Sequence, residues 1–183
     1  MQIYSPEEDS YLLSESIKKE LLKLKSKNIK LIEIGVGSGI QLETALKSGI
    51  KNENILGVDI NNDAVYLCKE KGFNVINSNL FIKIPKTQRF DIIIFNPPYL
   101  PSHKFDKKPD TSGGVLGHET ILKFLSRAKN YLEKNGFILL LTSSLTPMKK
   151  INEKLKEFKV ENINEKKLFQ ETLYVWKIHL KKN

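Results

Sequence analysis

Asn96-Pro97-Pro98-Tyr99 is the stretch of this chain whose residue types are best suited to chemistry. It directly follows Phe90-Asp91-Ile92-Ile93-Ile94-Phe95, an apolar run with no charge after Asp91. That run predicts a strand buried on both faces of a parallel sheet. Each proline locks φ and lacks an N–H, so the pair stops the strand and fixes the exit of the chain. An amide side chain, a rigid carbonyl and an aromatic ring are therefore displayed at the carboxyl end of a central strand, where open α/β sheets bind their ligands. The chemistry that fits these groups is activation of a planar NH2 nitrogen, a poor nucleophile because its lone pair is delocalised. Asn96 Oδ1 and the Pro97 carbonyl are two acceptors for its two hydrogens. Together they aim the lone pair and stabilise charge developing on nitrogen, while Tyr99 stacks on the planar group. The motif alone does not separate a carboxamide from the exocyclic amine of adenine or guanine.

A second candidate site lies upstream. Leu31-Ile32-Glu33-Ile34-Gly35-Val36-Gly37-Ser38-Gly39 reads as a buried strand entering a glycine-rich turn, with a helix-compatible stretch through Lys47. Glycines there let the backbone approach a ligand at a helix amino end. A G-x-G-x-x-G dinucleotide pattern starting at Gly35 needs glycine at position 40, which is Ile40. The next strand, Asn54 to Asp59, ends in a carboxylate suited to ribose hydroxyls, a role common to dinucleotide and adenosyl ligands. Glu33 discriminates better: a carboxylate before the loop suits the cationic amino end of a methionine moiety and repels a pyrophosphate. The two sites together resemble those of S-adenosylmethionine-dependent methyltransferases that modify a planar nitrogen. A sulfonium donor is already activated, so in-line positioning, worth ~7–11 kcal/mol, is the main demand on such a protein. No strong general base is required, in keeping with a site that has no obvious catalytic histidine or cysteine.

The elements that must position these groups follow from the pattern. Pro6, then Glu7, Glu8 and Asp9, then apolar residues at helical spacing, predict a helix start. Strands are expected near 30–35, 54–60, 73–77 and 90–95. A helix is expected from His118 to Asn135, ended by Asn135-Gly136, with Phe137–Leu141 as the next buried strand. A last helix near 147–157 precedes two alternating strands near 158–168 and 171–181. Strands separated by helices imply parallel crossovers, and the closely spaced final pair implies a hairpin. The expected fold is thus α/β: a Rossmann-like class I methyltransferase with a seven-stranded, mostly parallel sheet, a C-terminal antiparallel hairpin and helices on both faces. We expect one domain over 1–183, with an N-terminal helical segment (1–28) over the donor site and a substrate loop (100–117). That loop holds His103, three lysines and three glycines. It is long for a simple connection, which favours a functional lid.

Composition limits the alternatives. The net charge of +9 invites a nucleic-acid reading, yet only Arg89 and Arg127 among the 30 basic residues are arginines. The bidentate fork that recognises guanine and phosphate is nearly absent. Lysine interleaved with glutamate reads as solvated helix faces or a thermophile-like surface. No apolar run approaches the ~20 residues of a membrane span, and no charged-then-apolar secretion signal opens the sequence. Cys68 is the single cysteine, and His103, His118 and His179 have no metal-ligand spacing. The expectation is a cytoplasmic, metal-free protein without a membrane role, with nucleic acid a secondary partner and Trp176 and His118 structural.

The opening segment narrows the substrate. Pro6-Glu7-Glu8-Asp9-Ser10-Tyr11-Leu12-Leu13 is similar to the Pro-x-Glu-Asp-Thr/Ser-x-Leu-Leu signature of one branch of the HemK-type protein-glutamine N5-methyltransferases. These are the archaeal and eukaryotic enzymes that modify the Gly-Gly-Gln loop of class-1 translation termination factors. The resemblance implies S-adenosylmethionine contacts from Ser10, Glu33, Gly35, Gly37, Asp59, Asn79, Leu80 and Asn96, and catalysis by Asn96, Pro97 and Tyr99. It implies that Glu8 and Asp9 close over the donor; a helix cap with favourable end charge is the plainer alternative. It also implies a release factor as substrate and a small zinc-binding activator subunit that pairs along the sheet. Two departures stand out. Asn79 occupies a position usually held by an aspartate, and Thr111-Ser112-Gly113-Gly114 and Gly117-His118 stand where the family often has Trp-Ala-Gly-Gly and Gly-Arg. A nucleic-acid amino-methyltransferase and a donor-binding scaffold without catalysis remain the competing readings.

Overall fold

The computed structural model describes residues 3–98 and 118–181. Apolar strands that are buried on both faces need helices on both faces, and the chain supplies them in alternation. The order is α1 (Glu8–Leu22), β1 (Leu31–Ile34), α2 (Ile40–Lys47), β2 (Ile55–Asp59), α3 (Asn62–Glu70), β3 (Asn74–Asn77) and β4 (Phe90–Phe95). Then follow α4 (Glu119–Ala128), β5 (Leu132–Ser143), α5 (Met148–Leu155), β6 (Phe158–Lys167) and β7 (Thr172–Leu180). The strands form a seven-stranded sheet of order β3-β2-β1-β4-β5-β7-β6. All pairs from β3 to β5 are parallel, and β7 runs antiparallel to both β5 and β6. This is the expected α/β architecture with its terminal hairpin.

Period-two alternation sends each strand's side chains into two cores. Leu31, Ile92, Ile94 and Leu139 pack with α1, α2 and α3; Ile32, Ile34, Ile93 and Ile138 pack with α4 and α5. The helices thus cover both faces. Strand order reverses between β1 and β4, where Ile34 lies beside Phe95. The residues that follow them, Gly35 and Asn96, consequently sit side by side at the crevice where such sheets bind ligands.

One boundary differs from the sequence expectation. The helix after His118 ends at Ala128, and Leu132 already belongs to β5, so Asn135-Gly136 lies within a strand instead of stopping a helix. Leu132 pairs with Phe90, and the register then shifts before Phe137 pairs with Ile92. The irregularity needs glycine: a Cβ on Gly136 would stand 2.6 Å from the Asp91 carbonyl oxygen. Tyr131 fixes the turn, its ring stacked on Phe81 at 4.6 Å and its hydroxyl donating to the Ile84 carbonyl at 3.2 Å. Helical periodicity ran on through Leu132 because a strand bulge can present the same apolar face.

Candidate active site

The glycine turn after β1 is set by backbone geometry. Gly35, Gly37 and Gly39 have φ of 73°, 48° and 84°, a region that only glycine visits without strain. The Gly39 N–H donates to the Val36 carbonyl at 2.7 Å, closing the turn directly before α2. Asp59, at the end of β2, holds the turn from the side. Its Oδ2 accepts from the Gly37 N–H at 2.9 Å and its Oδ1 from the Asn61 N–H at 2.8 Å.

Glu33 lies beneath this turn on β1 and is only 2% exposed. Burial pushes its carboxyl well above the ordinary carboxylate range, and the negative charge of Asp59 adds to the rise; a hydrogen bond from the Leu42 backbone opposes it. Its Oε2 has no hydrogen-bond partner among the described residues. A buried acceptor with a raised pKa and a free lone pair is incomplete as a structural group. An ammonium group supplies both the donor and the counter-charge it lacks. Burial raises the Cys68 thiol to about 12, and Glu33 adds to the rise.

At the end of β4, Asn96 is half-buried and Pro97 buried. Asn96 Nδ2 donates to Asp9 Oδ2 at 3.0 Å, while its Oδ1 is buried without a partner among the described residues. Asp9 reaches this point from the first turn of α1. Polar contacts to α2 hold that helix: Ser14 Oγ donates to Gln41 Oε1 at 2.7 Å, and Gln41 Nε2 donates to the Ser10 carbonyl at 2.9 Å. Ser10 is thereby tied to the first turn of α2, and a Cβ on Gly37 would stand 4.0 Å from the Tyr4 carbonyl oxygen.

The remaining expected site residues are less uniform. Asn79 is exposed after β3, and Leu80 beside it is buried with φ 51°, the one non-glycine residue in that region among those described. Backbone strain of this kind concentrates at ligand-binding segments. His118 stands at the start of α4 as expected, its ring buried and its Nδ1 unpartnered among the described residues. Trp176 is half-buried on the core, with its Nε1 donating to Thr142 Oγ1 at 2.8 Å. Tyr99 and the loop 100–117 lie outside the described residues. Among the described residues no group of three or more His, Cys, Asp or Glu could hold a metal ion, and no helix is long and apolar enough to cross a membrane. Sequence reasoning missed the Asp9–Asn96 contact and the Gln41 bridge; polar contacts across such separations leave no periodic signal.

Buried acceptors at Glu33 and Asn96, a glycine turn and an acid after β2, all on this sheet order, define an S-adenosylmethionine-dependent methyltransferase of the Rossmann-like class. Residues 70–174 match the family model described as Eco57I restriction-modification methylase. A Methanocaldococcus jannaschii protein that bears the name "Putative protein N5-glutamine methyltransferase MJ0928" is 42% identical over 174 residues, covering 87% of this chain and 83% of its own length. The Schizosaccharomyces pombe eRF1 methyltransferase catalytic subunit mtq2 is 29% identical over 97% of this chain and 89% of its own. In structure, the E. cuniculi Mtq2–Trm112 complex, responsible for methylation of the eRF1 translation termination factor, superposes with a TM-score of 0.79. It has 24% identity and covers 99% of this chain and all of its counterpart. The chain belongs to the protein N5-glutamine methyltransferase family.

Proposed function

We propose that this chain transfers a methyl group to the side-chain nitrogen of the glutamine in the Gly-Gly-Gln loop of a class-1 translation termination factor. The observation that carries the reading is the buried, partnerless Oδ1 of Asn96 at the end of β4, beside the Glu33 and Asp59 cradle. S-adenosylmethionine, when bound, supplies a methyl on a sulfonium already activated for displacement. Glu33 would meet its ammonium, Asp59 its ribose hydroxyls, and Ser10, Gly35, Gly37, Asn79, Leu80 and Asn96 would line the remaining contacts. Asn96 Oδ1 and the Pro97 carbonyl accept the two hydrogens of the target amide and aim its lone pair, and Tyr99 stacks on the amide plane. The donor would supply the methyl group and take back the C–S electron pair, and the acidified target nitrogen would lose its proton to solvent. The single domain carries both halves of the site, with 1–28 over the donor and 100–117 meeting the protein substrate. Action on a translation factor puts the protein in the cytoplasm.

We infer that a small zinc-binding activator subunit pairs with the β3 edge; the two-protein Mtq2–Trm112 assembly supports the existence of such a partner. Both sheet edges are candidates, and their chemistry differs. The β6 edge carries Lys159, Glu161, Glu165, Lys166 and Lys167, charges that discourage strand addition. The β3 edge, Asn-Val-Ile-Asn, carries none, and Ile60, Tyr66 and Ile82 on its bordering segments are 60–67% exposed. Ile82→Lys is expected to abolish co-purification with the activator while leaving the fold intact, as read by size exclusion and thermal unfolding.

The experiment that tests the reaction is methyl transfer from labelled S-adenosylmethionine to a matched termination factor and to its Gln→Ala variant, with and without activator. Label on the wild-type factor alone supports the reading. Donor binding without label on either factor overturns it. A second reading, methylation of an exocyclic amine in nucleic acid, is favoured by the match to the Eco57I methylase model. Label appearing on RNA or DNA, with binding that falls steeply with salt, is its signature.

A further inference from the structure

Asn96 has two chemically opposite ends, and only its oxygen is useful toward an NH2 group. A carboxylate only accepts hydrogen bonds, so the end of the amide facing Asp9 at 3.0 Å is the NH2 end, and Oδ1 points the other way. Asp9 is itself constrained: it is 4% exposed, and its Oδ1 accepts from the Tyr4 hydroxyl at 3.0 Å and from the Ser10 N–H. The helix that carries it is fastened at further points along its length. Gln41 Nε2 donates to the Ser10 carbonyl, Asn164 Nδ2 donates to Ser16 Oγ, and Lys177 Nζ pairs with Glu20 Oε2, at 2.9, 3.1 and 2.6 Å.

We propose that Asp9 is the positioning residue that fixes the orientation of the Asn96 amide and strengthens Oδ1 as the acceptor for the target NH2 group. The inference rests on the reading of Asn96 as that acceptor. An amide turned by 180° fills the same space, so shape alone does not choose its orientation. In the wrong orientation two NH2 groups face one another and the target lone pair is not aimed. Asp9 removes that alternative. Its negative charge also polarises the amide, drawing electron density toward Oδ1, because hydrogen bonds in series strengthen one another where the local dielectric is low. The alternative role, favourable charge at the first turn of α1, acts on helix stability and makes no demand on Asn96.

The test compares Asp9→Asn, Asn96→Ala, Asn96→Asp and the exchanged pair D9N/N96D. It is run on the intact chain with activator, reading kcat, KM for the termination factor, donor Kd by calorimetry and Tm. Loss of one preorganised polar contact to a transition state costs about 10²–10³ in rate; Asp9 acts on that state only through Asn96, so D9N is expected to cost less, about 30–100-fold in kcat. Donor Kd and Tm should stay near wild type. N96D alone sets two carboxylates together and is expected to be inactive. D9N/N96D restores a donor at position 9 and a forward-facing acceptor at position 96, and should regain about tenfold over D9N, a coupling that only a double-mutant cycle reveals. Tyr4→Phe loosens Asp9 without removing it and should lower kcat by about threefold, which keeps the proposal testable if D9N does not fold. The proposal is overturned by wild-type kcat in D9N or Tyr4→Phe, by donor affinity lost in proportion to kcat, or by no rescue in the exchanged pair. Full activity in N96A would instead bring down the reading of Asn96 itself, whereas an inactive N96A beside an active D9N would bring down only the role of Asp9.

Discussion

Glu33, next to last in β1, and Asn96, just past the end of β4, belong to adjacent parallel strands, and each leaves one buried oxygen without a partner among the described residues. They do so by opposite means. Glu33 is a carboxyl group whose charge is suppressed by burial and by Asp59, so it gains most from a cation brought by a ligand. Asn96 is a neutral amide with a carboxylate already behind it, so its free oxygen is oriented before any ligand arrives. On the reading proposed above, the donor side of the site is completed on binding and the target side is built in advance. That division suits a reaction in which the donor is intrinsically activated and the acceptor nitrogen is not.

The comparison is broken most severely at Asn96. Asn96→Ala is expected to lower kcat at saturating donor by about 10³-fold, roughly 4 kcal/mol of transition-state stabilisation, while donor Kd, to which Asn96 gives one contact among several, weakens by no more than about tenfold. A loss of donor affinity as large as the loss of kcat would mean that Asn96 serves chiefly the donor and that the two sides are not separate.

Glu33→Gln should do the reverse. Loss of the charge that meets an ammonium is expected to weaken donor binding by about 10–100-fold, roughly 1.4–2.7 kcal/mol. At saturating donor, kcat should be nearly retained. The donor-free protein, in contrast, should become more stable. Because the folded-state pKa of Glu33 is raised, its contribution to stability is intact below the ordinary value of 4.5 and is lost as pH rises through the raised value. The Tm of the donor-free wild type should therefore fall along that rise, and the Glu33→Gln variant should lack that component of the slope. Within that pH window, donor binding should release a proton, seen as a calorimetric enthalpy that depends on buffer. An unchanged proton count in the variant would show that Glu33 is not the group that titrates.

Much of this division was legible in the sequence, for specific reasons. The strands β1, β2 and β4 are short and wholly apolar but for Glu33, Asp59 and Asp91, so both the sheet and its exceptional residues stood out. The prolines after Phe95 marked the strand end by covalent geometry alone. Leu132 was misassigned because an apolar residue in register with a preceding helix does not reveal that it pairs with Phe90. Asp9 was legible as an acid at a helix start, yet its partner Asn96 is 87 positions away. Only the tertiary fold makes that pair.

The smallest effect tests what holds α1, and with it Asp9, in place. Near its start Glu8 pairs with Lys166, an exposed contact between side chains that are 54% and 45% exposed. Farther along, the polar contacts of Ser14, Ser16 and Glu20 are at least partly buried. An exposed pair gains little Coulomb energy in water and loses side-chain freedom, so it contributes about 0–1 kcal/mol. Lys166→Ala should shift Tm by less than about 3 °C for a chain of this size. It should leave kcat within twofold and its stability difference from wild type should vanish in high salt. A larger loss of kcat than of stability would mean that the hairpin carrying Lys166 sets the angle of α1 electrostatically. The target side would then depend on a surface charge as well as on its buried contacts, and the contrast between a prebuilt amide and a waiting carboxyl would weaken.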